Sequence, residues 1–264
     1  MDLKLNDKTA FISGSTAGIG YAIAERLAME GATVIINGRK QEALDKAVAE
    51  LKAATQNQNI SGIVADLNGA EETDRLLQQL PHIDILINNA GIFEPKAFAE
   101  ITDEDWFRFF DINVMSGIRL SRYLFPKMLE KNWGRVIFIS SETGVAQAAE
   151  MIHYGMTKTA QLSVARGMAE LTKGTGVTVN SILPGPTRSR GVGDFIEDMA
   201  KAGNISAEET ERNFFKDIRP NSILQRFASV NEVADTVAYY ASPLSSATNG
   251  AAIRVEGGIL KSVI

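Results

Sequence analysis

The chain has 264 residues, of which 45% are hydrophobic and 22% charged, with two histidines and no cysteine. Zero cysteine excludes disulfides, thiol nucleophiles and cysteine-ligated metals, and His82 and His153 stand in no metal-ligand pattern. The net charge of −5, without a block of like charge, favours neither a nucleic-acid partner nor an anionic membrane surface. No signal-peptide pattern is visible, nor any apolar run of about 18 residues, so we expect a cytoplasmic protein with no membrane partner.

Short β-branched runs alternate with segments whose apolar residues recur three and four positions apart. The runs predict strands at 9–13, 33–37, 60–65, 83–87, 135–140, 177–182 and 251–255. The other segments predict helices at 19–29, 41–53, 71–80, 106–129, 152–171 and 230–240. This alternation predicts an α/β fold in one domain over 1–264, with a Rossmann-type doubly wound parallel sheet of about seven strands and helices on both faces.

The alternation breaks after Pro184-Gly185-Pro186, where a polar-rich segment at about 188–220 precedes the last helix. Ser206 and Glu209 have the spacing of a helix capping box, and Phe214 follows them, so we expect two small helices on a loop. Ligand crevices of such sheets lie at the carboxyl ends of strands, which favours a lid over the substrate. A surface insertion is the alternative.

A glycine-rich turn, Gly14-Ser-Thr-Ala-Gly18-Ile-Gly20, connects the first predicted strand to the first helix. A turn with positive φ that packs closely on its strand needs glycine, and the helix N-terminus behind it favours a phosphate. The spacing differs from the G-x-G-x-x-G fingerprint, so a tight turn without a ligand stays open as an alternative. The position in the first βα turn favours a dinucleotide.

The second strand ends in Asn37-Gly38-Arg39-Lys40, where a bound dinucleotide would place its adenosine ribose. An acidic residue there suits the 2′-hydroxyl of NAD, whereas a guanidinium suits the 2′-phosphate of NADP. We therefore expect NADP(H), with NAD(H) possible. The alternative is that Arg39 and Lys40 are solvated residues of a helix start.

Tyr154 and Lys158 are four residues apart and share one face of a predicted helix. At about 6 Å and an effective dielectric constant near 20, a phenolate and an ammonium attract by about 3 kcal/mol, which is expected to lower the pKa of Tyr154 below its usual value of about 10. Such a tyrosine suits general acid or base catalysis. Alone, this spacing arises often by chance in surface pairs.

Together, the motifs resemble those of the short-chain dehydrogenase/reductase family along essentially the whole chain. The motifs in order are Gly14–Gly20, Asp66-Leu67, Asn88-Asn89-Ala90-Gly91, Asn113, Ser141, Tyr154 with Lys158, and Pro184-Gly185. The resemblance implies an NAD(P)-dependent oxidoreductase that transfers hydride between the nicotinamide and a carbonyl or alcohol substrate, with no metal. The motifs indicate the reaction type much better than the substrate.

The resemblance also implies a role for each catalytic candidate. Tyr154 exchanges a proton with the substrate oxygen, and Lys158 lowers its pKa and binds the nicotinamide ribose. Ser141 bonds the same substrate oxygen, with its neighbour Ser140 as the rival. Asn113 holds a water that relays protons to Lys158.

The cofactor-binding candidates come from the same resemblance and follow the ends of several strands. Asp66 and the Asn89–Gly91 segment keep the alternative that they only form turns. Ala17 stands where many NADP-preferring members have a basic residue, so the NADP preference depends on Arg39. The full set is Gly14, Ser15, Thr16, Gly18, Ile19, Gly20, Arg39, Asp66, Leu67, Asn89, Ala90, Gly91, Tyr154, Lys158, Pro184, Gly185 and Thr187.

The substrate is expected to be a small carbonyl or alcohol compound. The subgroup that the chain resembles most is the 3-oxoacyl-carrier-protein reductases, although Thr175 stands at a position that is often basic there. Arg188 and Arg190 would meet an anionic substrate, or else are solvated or contact the cofactor phosphates. The resemblance implies a homo-oligomer, usually a tetramer, and a non-catalytic dinucleotide sensor or scaffold is the alternative from another functional class.

Overall fold

Nine strands and nine α-helices alternate along the chain in this computed structural model, which describes residues 1–263 apart from the side chains of Arg190, Asp194, Phe195 and Ala202. The strands are β1 Thr9–Ile12, β2 Thr33–Gly38, β3 Ile60–Val64, β4 Ile85–Asn88, β5 Gly134–Ile139, β6 Val177–Pro184, β7 Thr187–Arg188, β8 Ala228–Ser229 and β9 Ala252–Val255. The helices are α1 Gly18–Met29, α2 Gln41–Thr55, α3 Ala70–Leu77, α4 Asp103–Phe110, α5 Ser116–Glu130, α6 Ile152–Glu170, α7 Arg190–Gly203, α8 Ala207–Asn213 and α9 Val230–Ala241.

The seven longer strands form one parallel sheet in the order β3-β2-β1-β4-β5-β6-β9. Ala10 of β1 pairs with Val34 of β2 on one side and with Ile85 of β4 on the other. The order of the strands therefore reverses between β1 and β4. A crevice opens at such a switch point beyond the carboxyl ends of the strands. The predicted doubly wound parallel sheet is confirmed.

Two hydrophobic clusters cover the two faces of the sheet. Ile23 of α1, Leu44 of α2 and Val237 of α9 are buried on one face. Helices α3, α5 and α6 pack on the other face through residues that include Leu76 and Leu120. Both faces are thus covered by helices, which explains why the central strands β1 and β4 are buried along nearly their whole length rather than at alternate residues.

The predicted helix at 106–129 is interrupted in the structure. It begins at Asp103, where the Thr102 side chain accepts a hydrogen bond from the Asp105 amide at 3.2 Å. A π-helical turn, Asp111–Met115, then separates α4 from α5. Turns of this kind inside α-helices are frequent at functional sites, and this one contains Asn113.

The segment at 188–220 contains α7 and α8, followed by a second π-helical turn, Phe214–Ile218. The Ser206 hydroxyl accepts from the Glu209 amide at 3.1 Å and begins α8 as predicted. Phe215 and Phe227 pack together with Ile196 in a small separate cluster. The segment also contains β7, whose short pairing with β8 the sequence pattern does not predict.

Candidate active site

The glycine turn after β1 needs glycine for two different reasons. Gly14 and Gly18 have φ of +59° and +61°, the left-handed region that side chains disfavour. Gly20 has no room instead, since an added Cβ would lie 2.4 Å from Asn89 Nδ2 and 2.7 Å from the Gly14 carbonyl oxygen. The predicted conformation of the turn is therefore confirmed, with close packing rather than φ as the constraint at Gly20.

Hydrogen bonds hold this turn against the neighbouring loop after β4. The Ser13 hydroxyl accepts from the amides of Asn89 and Ala90 at 2.9 and 3.0 Å. Asn89 Nδ2 in turn donates to the carbonyl oxygens of Ser13 and Gly14 at 2.9 and 2.8 Å. Asn89 and Ala90 thus lie beside the glycine turn, where they fix one wall of the crevice.

Ser15 takes a different place from the rest of the predicted cofactor residues. Its hydroxyl donates to the Ile12 carbonyl oxygen at 2.6 Å and accepts from the Asn37 amide at 3.0 Å. The residue is fully buried and does not line the cleft. Its side chain therefore connects β1 to β2 within the fold.

The end of β2 separates two neighbouring polar residues into different environments. Asn37 is buried, and its side chain accepts from the Gly14 amide and donates to the carbonyls of Ile63 and Ala65. Arg39 is exposed and lines the cleft. The side chain of Asn37 makes its hydrogen bonds within the fold. Arg39 is therefore the residue at the end of β2 whose positive charge is available in the cleft.

One cleft of about 690 Å³ lies over the carboxyl ends of the strands. It brings together almost all the predicted site residues, with Ser15 and Asn113 outside its lining. The predicted residues that line it are Gly14, Thr16, Gly18, Ile19, Gly20, Arg39, Asp66, Leu67, Asn89, Ala90, Gly91, Ser141, Tyr154, Lys158, Pro184, Gly185 and Thr187.

Tyr154 and Lys158 lie on one face of α6, as their spacing predicts. Lys158 Nζ is 5.4 Å from the centre of the Tyr154 ring and donates to the carbonyl oxygen of Ile139 at 2.9 Å. Ser141 lies two residues after the end of β5 and is buried, and its hydroxyl donates to Glu142. The edge of Phe93 packs on the Tyr154 ring, with centroids 6.4 Å apart.

The pKa of Tyr154 moves in the direction opposite to the prediction. Burial raises this pKa above its usual value, the Glu142 carboxyl raises it further, and the polar Ser141 hydroxyl nearby opposes both. Burial also lowers the pKa of Lys158 to about 7. The predicted lowering by Lys158 is wrong for the protein alone, because desolvation disfavours the charged forms of both groups.

Asn113 lies in the π-helical turn and is fully buried. Its side-chain oxygen accepts from the Ile92 amide at 2.8 Å, and its Nδ2 donates to the Thr157 hydroxyl at 3.0 Å. Its backbone carbonyl accepts from Gln161 Nε2, and Gln161 Oε1 lies 3.3 Å from Lys158 Nζ. Gln161 thus connects Asn113 to Lys158, a contact that its position three residues after Lys158 on the helix could have indicated.

Three charged residues of the cleft are absent from the sequence-based predictions: Glu142, Glu150 and Arg219. Glu142 is buried beside Ser141, and its Oε1 lies 3.5 Å from Arg219 Nε. Arg219 follows the second π-helical turn, and it also bonds Glu150 at 2.9 Å. The adjacency of Glu142 to Ser141 is the one sequence signal that could have found it.

Arg188, a candidate for binding an anionic substrate, and His153, the neighbour of Tyr154, are not among the residues that line the cleft. Arg188 forms an ion pair with Glu211, and the side chain of Arg190 lies outside the described residues. His153 is buried with its ring 4.0 Å from that of Phe109, and burial lowers its pKa.

The described residues form neither a metal-binding cluster nor a helix that could span a membrane. Among the described residues, no three His, Asp or Glu side chains are grouped so that they could hold a metal ion. No helix of the described residues combines the length and apolarity needed to cross a bilayer.

Comparison with known proteins places this geometry in a family. Residues 8–200 match the model of the short chain dehydrogenase family. The Bacillus subtilis protein "Uncharacterized oxidoreductase YvaG" is 48% identical over 263 residues, which span all of both chains. The 3-oxoacyl-[acyl-carrier-protein] reductase FabG of Aquifex aeolicus is 33% identical over 98% of this chain and all of that protein.

A solved structure extends this likeness to the whole fold. L-Sorbose reductase from Gluconobacter frateurii, complexed with NADPH and L-sorbose, has a TM-score of 0.93 and 28% identity, and the match covers all of both chains. The chain belongs to the short-chain dehydrogenase family and is an oxidoreductase acting on CH–OH or C=O groups.

Proposed function

We propose that this protein is an NADPH-dependent reductase of small carbonyl compounds, or a dehydrogenase of the corresponding alcohols, with Tyr154 as the general acid and base. The observation that carries the proposal is the shared cleft. The glycine turn that suits a dinucleotide lines the same cleft as Ser141, Tyr154 and Lys158. Hydride transfer needs both parts within one cleft.

The residues at the glycine turn fit a nicotinamide dinucleotide. No side chain caps the start of α1, so the first amide groups of this helix, at Gly18 and Ile19, are available to a pyrophosphate. Arg39 offers a planar guanidinium to a 2′-phosphate, which is why we propose NADPH over NADH. The L-sorbose reductase and the actinorhodin polyketide ketoreductase, which share this fold, were both solved with NADPH.

The chemistry assigns one task to each side chain near Tyr154. When bound, NADPH supplies the hydride that reduces the carbonyl carbon. Tyr154 donates its phenolic proton to the carbonyl oxygen, so that an alcohol forms and a phenolate remains, and Ser141 holds the same oxygen in place. Lys158 stabilises the phenolate, which lowers the pKa that burial has raised.

The segment at 188–220 is proposed to act as a lid over the substrate end of the cleft. Ser189, Val192, Phe214 and Ile218 of this segment line the cleft beside Tyr154. The apolar side chains of Val192, Phe214 and Ile218 would exclude water from the reacting carbonyl, which strengthens the electrostatic interactions there. Removal of the Phe214 ring is expected to raise the KM of the carbonyl substrate more than that of NADPH.

The protein is also proposed to form a homo-oligomer, with a tetramer as the family's usual state. Phe107 is 74% exposed on α4, and Tyr123 is 41% exposed on α5. Exposed aromatic side chains on these two helices favour burial against a second copy. Light scattering of the purified protein tests the number of copies.

A panel of ketones and aldehydes, followed by the loss of NADPH absorbance, tests the proposed activity. Tyr154→Phe is expected to lower carbonyl reduction by about a thousandfold or more while NADPH still binds. Tyr239→Phe on α9 removes a hydroxyl away from the cleft and serves as the matched control. Unchanged turnover in Tyr154→Phe would contradict the assigned role, and absence of turnover with every carbonyl would favour a dinucleotide sensor.

A second candidate substrate is a 3-oxoacyl thioester on the acyl carrier protein. The 33% identity to the Aquifex aeolicus reductase favours it. Because Thr175 replaces a residue that is often basic at the carrier-protein surface, we rank it second. The panel therefore includes a 3-oxoacyl thioester both free and on the carrier protein, and a tenfold preference for the carrier-bound form would reverse the ranking.

A further inference from the structure

The carboxylate of Glu142 lies beside the hydroxyl that is proposed to hold the substrate. Ser141 Oγ donates to Glu142 Oε2 at 2.6 Å, and both residues line the cleft. Glu142 is only 6% exposed. A buried carboxylate is costly unless its oxygens receive hydrogen bonds, so each donor to this group matters.

The charges around Glu142 are unequal. Arg219 Nε lies 3.5 Å from Glu142 Oε1, and Arg219 Nη1 bonds Glu150 at 2.9 Å. One guanidinium is therefore shared by two carboxylates, and all three side chains line the cleft. Burial raises the pKa of Glu142, while the Ser141 hydrogen bond and the charge of Arg219 lower it.

This distribution bears on the class of substrate. Among the described side chains, Arg219 is shared by two carboxylates, and Lys158, whose pKa burial lowers to about 7, adds only part of a positive charge, so this part of the cleft does not favour a carboxylate or phosphate substrate. A neutral substrate that donates hydrogen bonds suits the arrangement, because Glu142 Oε2 can only accept while it is ionised. A hydroxyl group is the simplest neutral donor.

We propose that Glu142 determines substrate specificity by accepting a hydrogen bond from a hydroxyl on the carbon next to the reacting carbonyl, so that the protein prefers α-hydroxy ketones and vicinal diols. The proposal rests on the proposed function, since it takes Ser141 to bind the substrate oxygen. Glu142 is adjacent to Ser141, so a substituent one carbon away from the bound carbonyl comes within reach of Oε2.

The hydroxyl of Ser141 has a single proton that it can donate. In the protein alone this proton belongs to the Glu142 hydrogen bond. Ser141 can donate to a substrate carbonyl only by turning its proton away from Glu142, which leaves a buried carboxylate oxygen without that donor. An α-hydroxyl on the substrate replaces the lost donor, whereas a plain ketone leaves the buried carboxylate with one hydrogen bond fewer than in the protein alone, and such a loss gives strong discrimination.

Matched pairs of ketones test this preference directly in the wild-type protein. Suitable pairs are 2-butanone with 1-hydroxy-2-butanone, and cyclohexanone with 2-hydroxycyclohexanone, each measured as kcat/KM with saturating NADPH. The hydroxylated member is expected to be preferred about tenfold to a hundredfold. Equal values within both pairs would overturn the proposal without any variant.

The variant Glu142→Gln then tests whether this carboxylate is the cause. Its amide keeps the shape but loses the charged acceptor, so the ratio of the two kcat/KM values in each pair is expected to fall about tenfold. Glu170→Gln removes an exposed carboxylate of α6 that does not line the cleft, and the ratio should stay within about threefold. A parallel loss for both ketones, with the ratio unchanged, would show that Glu142 acts only through Ser141 and would overturn the specificity role.

A binding measurement separates this inference from the proposed function. In a Tyr154→Phe background with NADPH bound, ketone affinity is read from NADPH fluorescence, and the added Glu142→Gln change should weaken only the hydroxylated ketones. If Glu142→Gln fails to fold, Glu142→Asp takes its place. This variant keeps a carboxylate but shortens the side chain, and it is also expected to reduce the preference for hydroxylated ketones. If the wild-type protein turns over no ketone and no ketone binds, the proposed function fails and this inference with it. If ketones are reduced without preference for the hydroxyl, only the inference fails.

Discussion

Gln161 joins Lys158 to Asn113: its Oε1 lies 3.3 Å from Lys158 Nζ, and its Nε2 donates to the Asn113 backbone carbonyl. All three residues are buried. The Gln161 side chain therefore helps to position Lys158 Nζ, although Gln161 does not line the cleft.

Replacement of Gln161 by Met, which has a similar volume, should therefore affect both stability and turnover. The Asn113 carbonyl loses its donor in a buried site, which is expected to lower the free energy of unfolding by about 1–3 kcal/mol. Because Lys158 also loses a partner, kcat for carbonyl reduction should fall while the KM for NADPH changes little. Ser163→Ala, at an exposed position of the same helix, is the control. Urea unfolding and initial rates measure both effects, and an unchanged kcat would contradict the positioning role.

How much of this site could be predicted from the sequence depends on the range of the interaction. Gly14, Gly18 and Gly20 could be found because a tight turn restricts its own residues, and Tyr154 with Lys158 because four residues bring two side chains to one helical face. The pairing of Glu142 with Arg219 could not be found, since it depends on how the segment after α8 folds over the cleft.

The electrostatics were less predictable than the positions. A distance between Tyr154 and Lys158 follows from helix geometry, but the pKa of each group depends on burial by side chains from distant segments. The sequence pattern also does not reveal the π-helical turn around Asn113, because this turn leaves the spacing of apolar residues in the surrounding helix nearly unchanged. Resemblance indicated Asn113, and only the structure shows which of its atoms are already bonded.

Arg39→Ala tests the proposed cofactor preference. Loss of the guanidinium is expected to raise the Kd of NADPH about tenfold or more while the Kd of NADH stays nearly constant, because only NADPH carries the 2′-phosphate. Lys40→Ala provides the matched control, since Lys40 is also exposed but does not line the cleft. Fluorescence titration with each dinucleotide gives the values. Equal weakening of both dinucleotides would show that Arg39 does not select the phosphate.

Gly20→Ala tests the close packing at the glycine turn. The added methyl would lie 2.4 Å from Asn89 Nδ2 and 2.7 Å from the Gly14 oxygen, so the turn must shift. We expect a loss of about 1–3 kcal/mol in unfolding free energy and weaker NADPH binding. Gly167→Ala on α6 is the matched control, because nothing lies within 4 Å of the position and alanine favours the helix by about 0.5–1 kcal/mol. A Gly20→Ala protein that binds NADPH as tightly as wild type would contradict the proposed place of the pyrophosphate.

The lowered pKa of Lys158 predicts how stability depends on pH. Its pKa is about 7 in the folded protein and 10.5 ordinarily, so between these values the unfolded chain binds more protons at this site than the folded protein. The free energy of unfolding is therefore expected to rise with pH over this range, because the cost of burying the ammonium disappears as the folded protein loses that proton. Between pH 7 and 9.5 we expect this group to contribute more than about 1 kcal/mol.

Urea unfolding at pH 7 and 9.5 gives the change in unfolding free energy with pH for wild type and for Lys158→Met. The difference between these two changes is the contribution of Lys158. Lys46→Met removes an exposed lysine and should keep the wild-type dependence. The measurement stops below pH 10 because burial raises the pKa of Tyr154, which makes stability fall with pH once the unfolded tyrosine ionises. If wild type and Lys158→Met show the same dependence, Lys158 stays charged in the folded protein, and hydrogen bonds to Ile139 and Gln161 outweigh its desolvation.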